Sequence, residues 1–278
     1  MVAPLVENSP SYNREIRPRK KKETSSVDLL CISEIRQHGY TEVLSRIMDL
    51  TGDKEFIYQQ YDHHIGAKTV LGPETQGACV LSLENYLSQN DYTALVVASS
   101  CDQDYCRLDP KQGASHSVAK AARMISATGG KPLAMTDCLN YGNPEDPEVM
   151  WEFSEGIDGM SEACEQLGVP VVSGNVSLYN ETDGKSIFPT PMIGMVGLHH
   201  DSRKSVSAVV KGEGTIWLLK PKNQSPFFAG SLVAKVFNID DQGEIPKINW
   251  DAEKESQEFL QQLCKQECLI SARDIGKG

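Results

Sequence analysis

KPLAMTDCLNYGNPEDPEVMWEFSEGIDGMSEACEQLGVPVVSGNVSLYNET, residues 131–182, is the stretch whose reading decides the fold. Pro132–Cys138 is a short apolar run of strand length. After a turn at Asn143-Pro144, Val149, Phe153, Ile157, Met160, Cys164 and Leu167 recur every three or four residues, which predicts a helix over 149–167 with one buried face. Gly168 supplies its stop, and Val169–Ser173 begins the next strand. Upstream, Thr93–Ser100 predicts another strand. Ala114–Ala127 predicts a helix, with Val118, Ala122 and Ile125 on one face and a stop at Gly129-Gly130. Strand, helix, strand, helix, strand is the pattern of helices packed on a sheet, an α/β layer.

Further strands are predicted at Lys68–Leu71, Ala78–Leu83, Met192–Leu198 and Thr215–Lys220, and an amphipathic helix at Tyr40–Leu50. Asn8–Ser26 is rich in charge, Pro and Ser and predicts a solvated linker. Its basic run Arg17–Lys22 lacks the apolar periodicity of a binding helix.

Length and charge narrow the function. The 278 residues suffice for one large domain or two ordinary ones, and 40% are hydrophobic. No apolar run approaches the ~20 residues of a membrane helix, and the start has no secretory core, so the expectation is a cytoplasmic protein without a membrane partner. A net charge of −11 argues against nucleic acid and leaves any bound phosphate to local donors. The eight cysteines form no CxxC pair and predict reduced thiols. His63-His64 and His199-His200 are adjacent pairs. On a strand, neighbours point to opposite faces, which makes each a poor chelate.

Ligands in such layers gather beyond strand C-terminal ends. Three polar clusters fall there: Ser100-Cys101-Asp102, Asp137-Cys138-Leu139-Asn140 and Gly174-Asn175-Val176-Ser177. Gly174 lets the backbone approach a phosphate or metal, Asn175 offers a neutral oxygen to a hard cation such as Mg²⁺, and Ser177 offers a hydroxyl. Asp137 could hold a Mg²⁺–nucleotide or accept from a ribose or base donor. A capped polar turn fits the same spacing. No Walker motif and no G-x-G-x-x-G is present. The strand ends predict that Asp137, Gly174 and Asn175 converge and that one ion could lie between Asp137 and Asn175.

MTDCLNYGNPEDPEVMWEF, GMSEACEQLGVPVVSGNVSLYNET and IFPTPMIGMVGL, in that order, resemble the second half of formylglycinamide ribonucleotide amidotransferase. Looser likenesses extend through YDHHIGAKTVLGP, LDPKQGASHSVAKAARMISATGGKPLAM, SARDIGKG and LVENSPSYNREIRP, so the resemblance covers nearly the whole chain. It implies a strand-rich domain of the AIR synthase-like kind at about 61–205, after a linker with short helices at 1–60. The start of an α/β C-terminal domain, truncated, follows at 206–278. It also implies an ATP-dependent ligase of purine synthesis that uses Mg²⁺ and ammonia from glutamine. ATP activates the amide oxygen of formylglycinamide ribonucleotide as a phosphate, and ammonia displaces it. Carried over, Asp137 and Gly174 are ATP contacts, Asn175 is a Mg²⁺ ligand and Ser177 a contact to the small-molecule substrate.

The same resemblance implies partners. The family's catalytic histidines lie in its first half and have no match here, so no catalytic residue is assigned. The expected partners are a chain or segment carrying that half, and a glutaminase subunit. Self-association through uncovered apolar surface is also expected. Two segments depart from the family. Gly72-Pro-Glu-Thr-Gln-Gly-Ala-Cys79 has Gln76 or Gly77 where an aspartate stands, and Cys101-Asp-Gln-Asp-Tyr105 has Asp104 in place of an arginine. They point to the alternative of a non-catalytic scaffold half with a structural nucleotide or none. A more distant relative, an aminoimidazole ribonucleotide synthetase-like or selenophosphate synthetase-like ATP enzyme, is the further alternative.

Overall fold

The computed structural model describes residues 12–20, 27–222, 227–239 and 242–276. Helices α1 (Val27–His38), α2 (Tyr40–Thr51) and α3 (Glu55–Tyr58) precede the sheet. Then come β1 (Thr69–Leu71), β2 (Cys79–Ser82), β3 (Ala94–Ser100), α4 (Gln103–Leu108) and α5 (Pro110–Ala127). The layer continues with β4 (Lys131–Asn140), α6 (Pro147–Leu167) and β5 (Val171–Ser177). A small hairpin of β6 (Glu181–Thr182) and β7 (Lys185–Ser186) leads to β8 (Thr190–His199). Helices α7 (Leu232–Val236) and α8 (Trp250–Lys265) follow.

The two long helices start where local chemistry dictates. Asp109 caps α5 by accepting from the Gln112 N–H at 3.0 Å, and Asp146 caps α6 by accepting from the Glu148 N–H at 2.9 Å. In both, proline occupies the first turn, where its missing N–H costs nothing. Gly168 ends α6 at φ 66°, a left-handed conformation natural to glycine. Helix α5 thus begins four residues before the predicted Ala114, at an Asp-Pro signal the apolar period does not register.

Six strands form one sheet in the order β1-β2-β3-β8-β4-β5. Only β4 and β5 pair in parallel. Both β3 and β4 run antiparallel to β8, so β3, β4 and β5 all end at the same end of the sheet. The polar clusters therefore do share one end, but β8 separates the first from the second. Strand–helix alternation fixes direction; it does not fix neighbours, and the antiparallel β8 takes the middle place.

Burial alternates along the central strands. Val96 and Ala98 of β3, Met135 and Leu139 of β4 and Ile193 and Met195 of β8 are buried against Val118, Ala122 and Ile125 of α5 and Val149, Met160 and Ala163 of α6. Each large apolar side chain buried this way contributes about 1.5–3 kcal/mol. Leu95, Val97, Val196 and Leu198 point to the other face and are only half-buried. One face is a core; the other is open.

Two expectations change. Thr215–Lys220 forms no strand, and Ile216 and Trp217 are 91% and 86% exposed. A strand needs a partner ladder, and the described residues supply none to this run. Of the linker, residues 1–11 and 21–26 lie outside the described residues. Residues 12–20 are largely exposed, as a solvated linker is, but contacts anchor them: the Arg17 N–H donates to the Pro147 carbonyl at 3.0 Å, and Arg19 pairs with Glu152 at 2.8 Å. Arg19 also donates to the Arg107 carbonyl. The anchoring contacts are not legible in the basic run because their acceptors lie far away in sequence.

Candidate functional site

The last two strands position the site. Their register pairs Thr136 with Ser173, Asp137 with Gly174, Cys138 with Asn175 and Asn140 with Ser177. Paired residues of a parallel ladder share a face, so the Asp137–Gly174 pair lies on one face and the other three pairs on the opposite one. Asp137 also pairs with the buried Ile193 and Cys138 with the exposed Met192, which identifies the faces. Asp137 and Gly174 lie on the helix-packed side. Thr136, Ser173, Cys138, Asn175, Asn140 and Ser177 form a polar corner on the open side.

On the packed side, the Asp137 carboxylate lies over Gly174. A Cβ at position 174 would sit 2.8 and 2.9 Å from its two oxygens, so only glycine leaves the carboxylate its place. Asp137 accepts from the Asn175 backbone N–H, but partial burial outweighs that bond and raises its pKa. Nearby, the Tyr141 hydroxyl is buried with no hydrogen-bonding partner among the described residues. Burial pushes its pKa up, and the charges of Glu152 and Asp137 add to this.

On the open side, the Asn175 amide nitrogen is 3.9 Å from the Cys138 sulfur, and both residues are exposed. Asn180 fastens the loop beyond: its amide donates to the Ser177 carbonyl at 2.8 Å, the Tyr141 carbonyl at 3.0 Å and the Ser177 hydroxyl oxygen at 3.4 Å. Asp137, Gly174 and Asn175 do come together on adjacent strands, but within the ladder, because β4 and β5 run on to Asn140 and Ser177 beyond the predicted ends at Cys138 and Ser173. The expectation of one ion shared by Asp137 and Asn175 is corrected, because their side chains leave the sheet on opposite faces. A strand-end motif read linearly hides this: residues 174 and 175 look like one cluster, yet the period of two divides them.

Residues 76–199 match the family described as AIR synthase related protein, N-terminal domain. The whole chain is 37% identical over 278 residues to the phosphoribosylformylglycinamidine synthase subunit PurL of a Nitratiruptor species. That match covers 100% of this chain and 37% of the relative, so the chain spans little more than a third of such a protein's length. T. maritima PurL complexed with AMPPCP is similar at 30% identity and a TM-score of 0.50, over 73% of this chain and 30% of that one. T. maritima PurL complexed with FGAR shares the fold at a TM-score of 0.58 and 24% identity, over 95% of this chain and 35% of that one.

Within the matched segment, both departures have local structural work. Gln76 is buried; its amide donates to the Val206 and Ala272 carbonyls at 3.0 Å each, and its side-chain oxygen accepts from the Gly77 N–H at 2.8 Å. Asp104 stands in the first turn of α4, where the helix dipole favours a carboxylate, behind the cap made by Asp102. Sequence reasoning also misses two charged clusters. Arg123 of α5 donates to Asp274 at 2.7 Å and to Glu253 of α8 at 3.0 Å; a lone arginine in an alanine-rich helix was the available signal. His63, His64 and Glu74 face one another, although adjacent histidines on a strand would diverge. The two histidines lie in a bend before β1, where the strand rule does not apply, and Glu74 lies in the turn after it.

Proposed function

We propose that this chain supplies part of the active site of an ATP-dependent ligase that converts formylglycinamide ribonucleotide to its amidine in purine biosynthesis. The observation that carries the reading is the β4–β5 register, which sets Asn175 and Ser177 in one exposed line beside the Asp137–Gly174 pair. Identity of 37% to a PurL subunit along the whole chain supports it.

The donor set fits a nucleotide-borne cation better than a dedicated metal cage. Asn175 brings one neutral oxygen on an exposed face, and Mg²⁺ suits such a place because it keeps several waters and takes its charge partners from phosphates. Asn175 would ligate that ion, which supplies charge neutralisation on the transferred phosphoryl group. Gly174 would leave room for the Asp137 carboxylate beside the nucleotide, and Asp137 would accept from a ribose or base donor. Ser177 would donate to the ribonucleotide substrate. The half-buried apolar part of the open face, Leu95, Val97, Val196 and Leu198, suits a second sheet, the counterpart half of the synthetase. A glutaminase subunit would deliver ammonia, in the cytoplasm.

The scaffold reading has an observation of its own. Both amide hydrogens of Gln76 are held by backbone carbonyls, so its side chain has no donor left for a phosphate. Calorimetric titration of Mg²⁺–ATP into the chain decides between the two. Saturable binding weakened at least about tenfold by Asn175→Leu, with an unchanged melting temperature, is the expected result. Absence of binding by the unmodified chain would defeat the ligase reading in favour of the scaffold.

A further inference from the structure

At the opposite edge of the sheet, the bend Tyr61-Asp62-His63-His64 meets the turn Gly72-Pro73-Glu74-Thr75 between β1 and β2. The Asp62 carboxylate accepts from the His64 N–H at 2.9 Å, which turns the chain so that both imidazoles face Glu74. Their ring centroids are 4.4 Å apart and the planes are tilted by 46°. The His63 Nδ1 lies 3.2 Å from the Tyr61 carbonyl. A carbonyl can only accept, so Nδ1 carries the proton and Nε2 presents its lone pair. That is how a metal-ligating histidine is normally held.

The His63 Nε2 is 3.6 Å from Glu74 Oε2, and the His64 Nε2 is 3.9 Å from Oε1. The three ligand atoms all lie within 4.8 Å of one another. Bonds of about 2.0–2.1 Å in a tetrahedral shell place neighbouring ligands about 3.3 Å apart, so a modest contraction of exposed side chains closes the site. Glu74 is presented by a fixed turn: the Thr75 N–H donates to the Gly72 carbonyl at 3.0 Å, and the Thr75 hydroxyl does so at 3.1 Å. Tyr58 stands edge-on against His63 at 5.8 Å and walls one side.

From this geometry we propose that His63, His64 and Glu74 bind a divalent d-block cation of the Zn²⁺ type, with water completing the shell. Two imidazoles and one carboxylate select such a borderline ion over Mg²⁺ or Ca²⁺, which prefer oxygen. The ion would tie the segment before β1 to the β1–β2 turn. It is independent of the nucleotide, because β1 and β5 are the two outer strands of the sheet.

The test is calorimetric titration of Zn²⁺ into the full chain without nucleotide, with the thiols kept out by prior alkylation. Co²⁺ absorption then reports the ligand type. The expected result is one ion per chain at micromolar affinity, a Co²⁺ spectrum free of thiolate charge transfer, and a rise in melting temperature with Zn²⁺. Glu74→Gln and His64→Gln, both at exposed positions, should each weaken binding at least about tenfold and remove the rise, whereas His200→Ala should change neither. Unaltered affinity in both variants, or no binding below millimolar Zn²⁺, would overturn the proposal and leave a histidine–glutamate ion pair.

Discussion

The two faces of the central sheet are made by the same strands and differ in almost everything else. On β8, Ile193 is fully buried under the helices, while its neighbour Met192 is 44% exposed. On β4, Asp137 faces the packed side and Cys138 the open side. The packed face holds a dense core and one half-buried carboxylate seated over Gly174. The open face carries an apolar half on β3 and β8 and a polar corner on β4 and β5. A period of two thus separates the part of the molecule that makes it fold from the part available to ligands and partners.

The largest effect expected from this division is on stability. Ile193→Ala should cost about 2–5 kcal/mol, because it leaves a cavity under α5 and α6. Met192→Ala, one residue away, should stay within about 0.5 kcal/mol. Urea unfolding of the two variants checks the contrast; equal losses would mean that the open face is covered in solution.

Association comes next. The apolar half of the open face should make the chain self-associate, and Val97→Lys with Val196→Lys should shift sedimentation towards the monomer while leaving the fold intact. If the double variant sediments like the unmodified chain, association runs through another surface, and the exposed Ile216-Trp217 run becomes the place to look.

A smaller effect concerns Glu152 of α6, on the packed side. Burial pushes its carboxyl up to about 7, although Arg19 opposes the shift. A folded-state pKa above the unfolded value of about 4.3 means that folding favours the protonated form. Its stabilising contribution is complete below the unfolded value and is lost as pH rises through about 7. Melting temperatures of the unmodified chain should therefore fall between about pH 4 and 7 relative to Glu152→Gln, and level off above that. Parallel curves would show that Arg19 holds the carboxylate charged throughout.

Much of this layout was legible in the sequence. The apolar period of Val149–Leu167 and its glycine stop gave α6, and the short runs on either side gave β4 and β5. The same pattern brought Asp137, Gly174, Asn175 and Ser177 to neighbouring strands, although it ended both strands before the ladder does. What stayed hidden depends on contacts remote in the chain. The place of β8 between β3 and β4 is decided by pairing, which composition does not encode. Arg19 finds Glu152 across 133 residues, and Gln76 finds Ala272 across 196. Histidines 63 and 64 reach Glu74 only because the backbone bends where the strand rule would have kept them apart.

The proposed division of a nucleotide site between two faces is tested most directly by titrating ATP, with and without Mg²⁺, into the unmodified chain, Asn175→Leu and Asp137→Asn. The expected result is that Asn175→Leu abolishes the gain in affinity due to Mg²⁺, while Asp137→Asn weakens binding by the same factor in both conditions. If Asp137→Asn also abolishes the Mg²⁺ dependence, the two residues share one ion after all, and the account of the site is wrong.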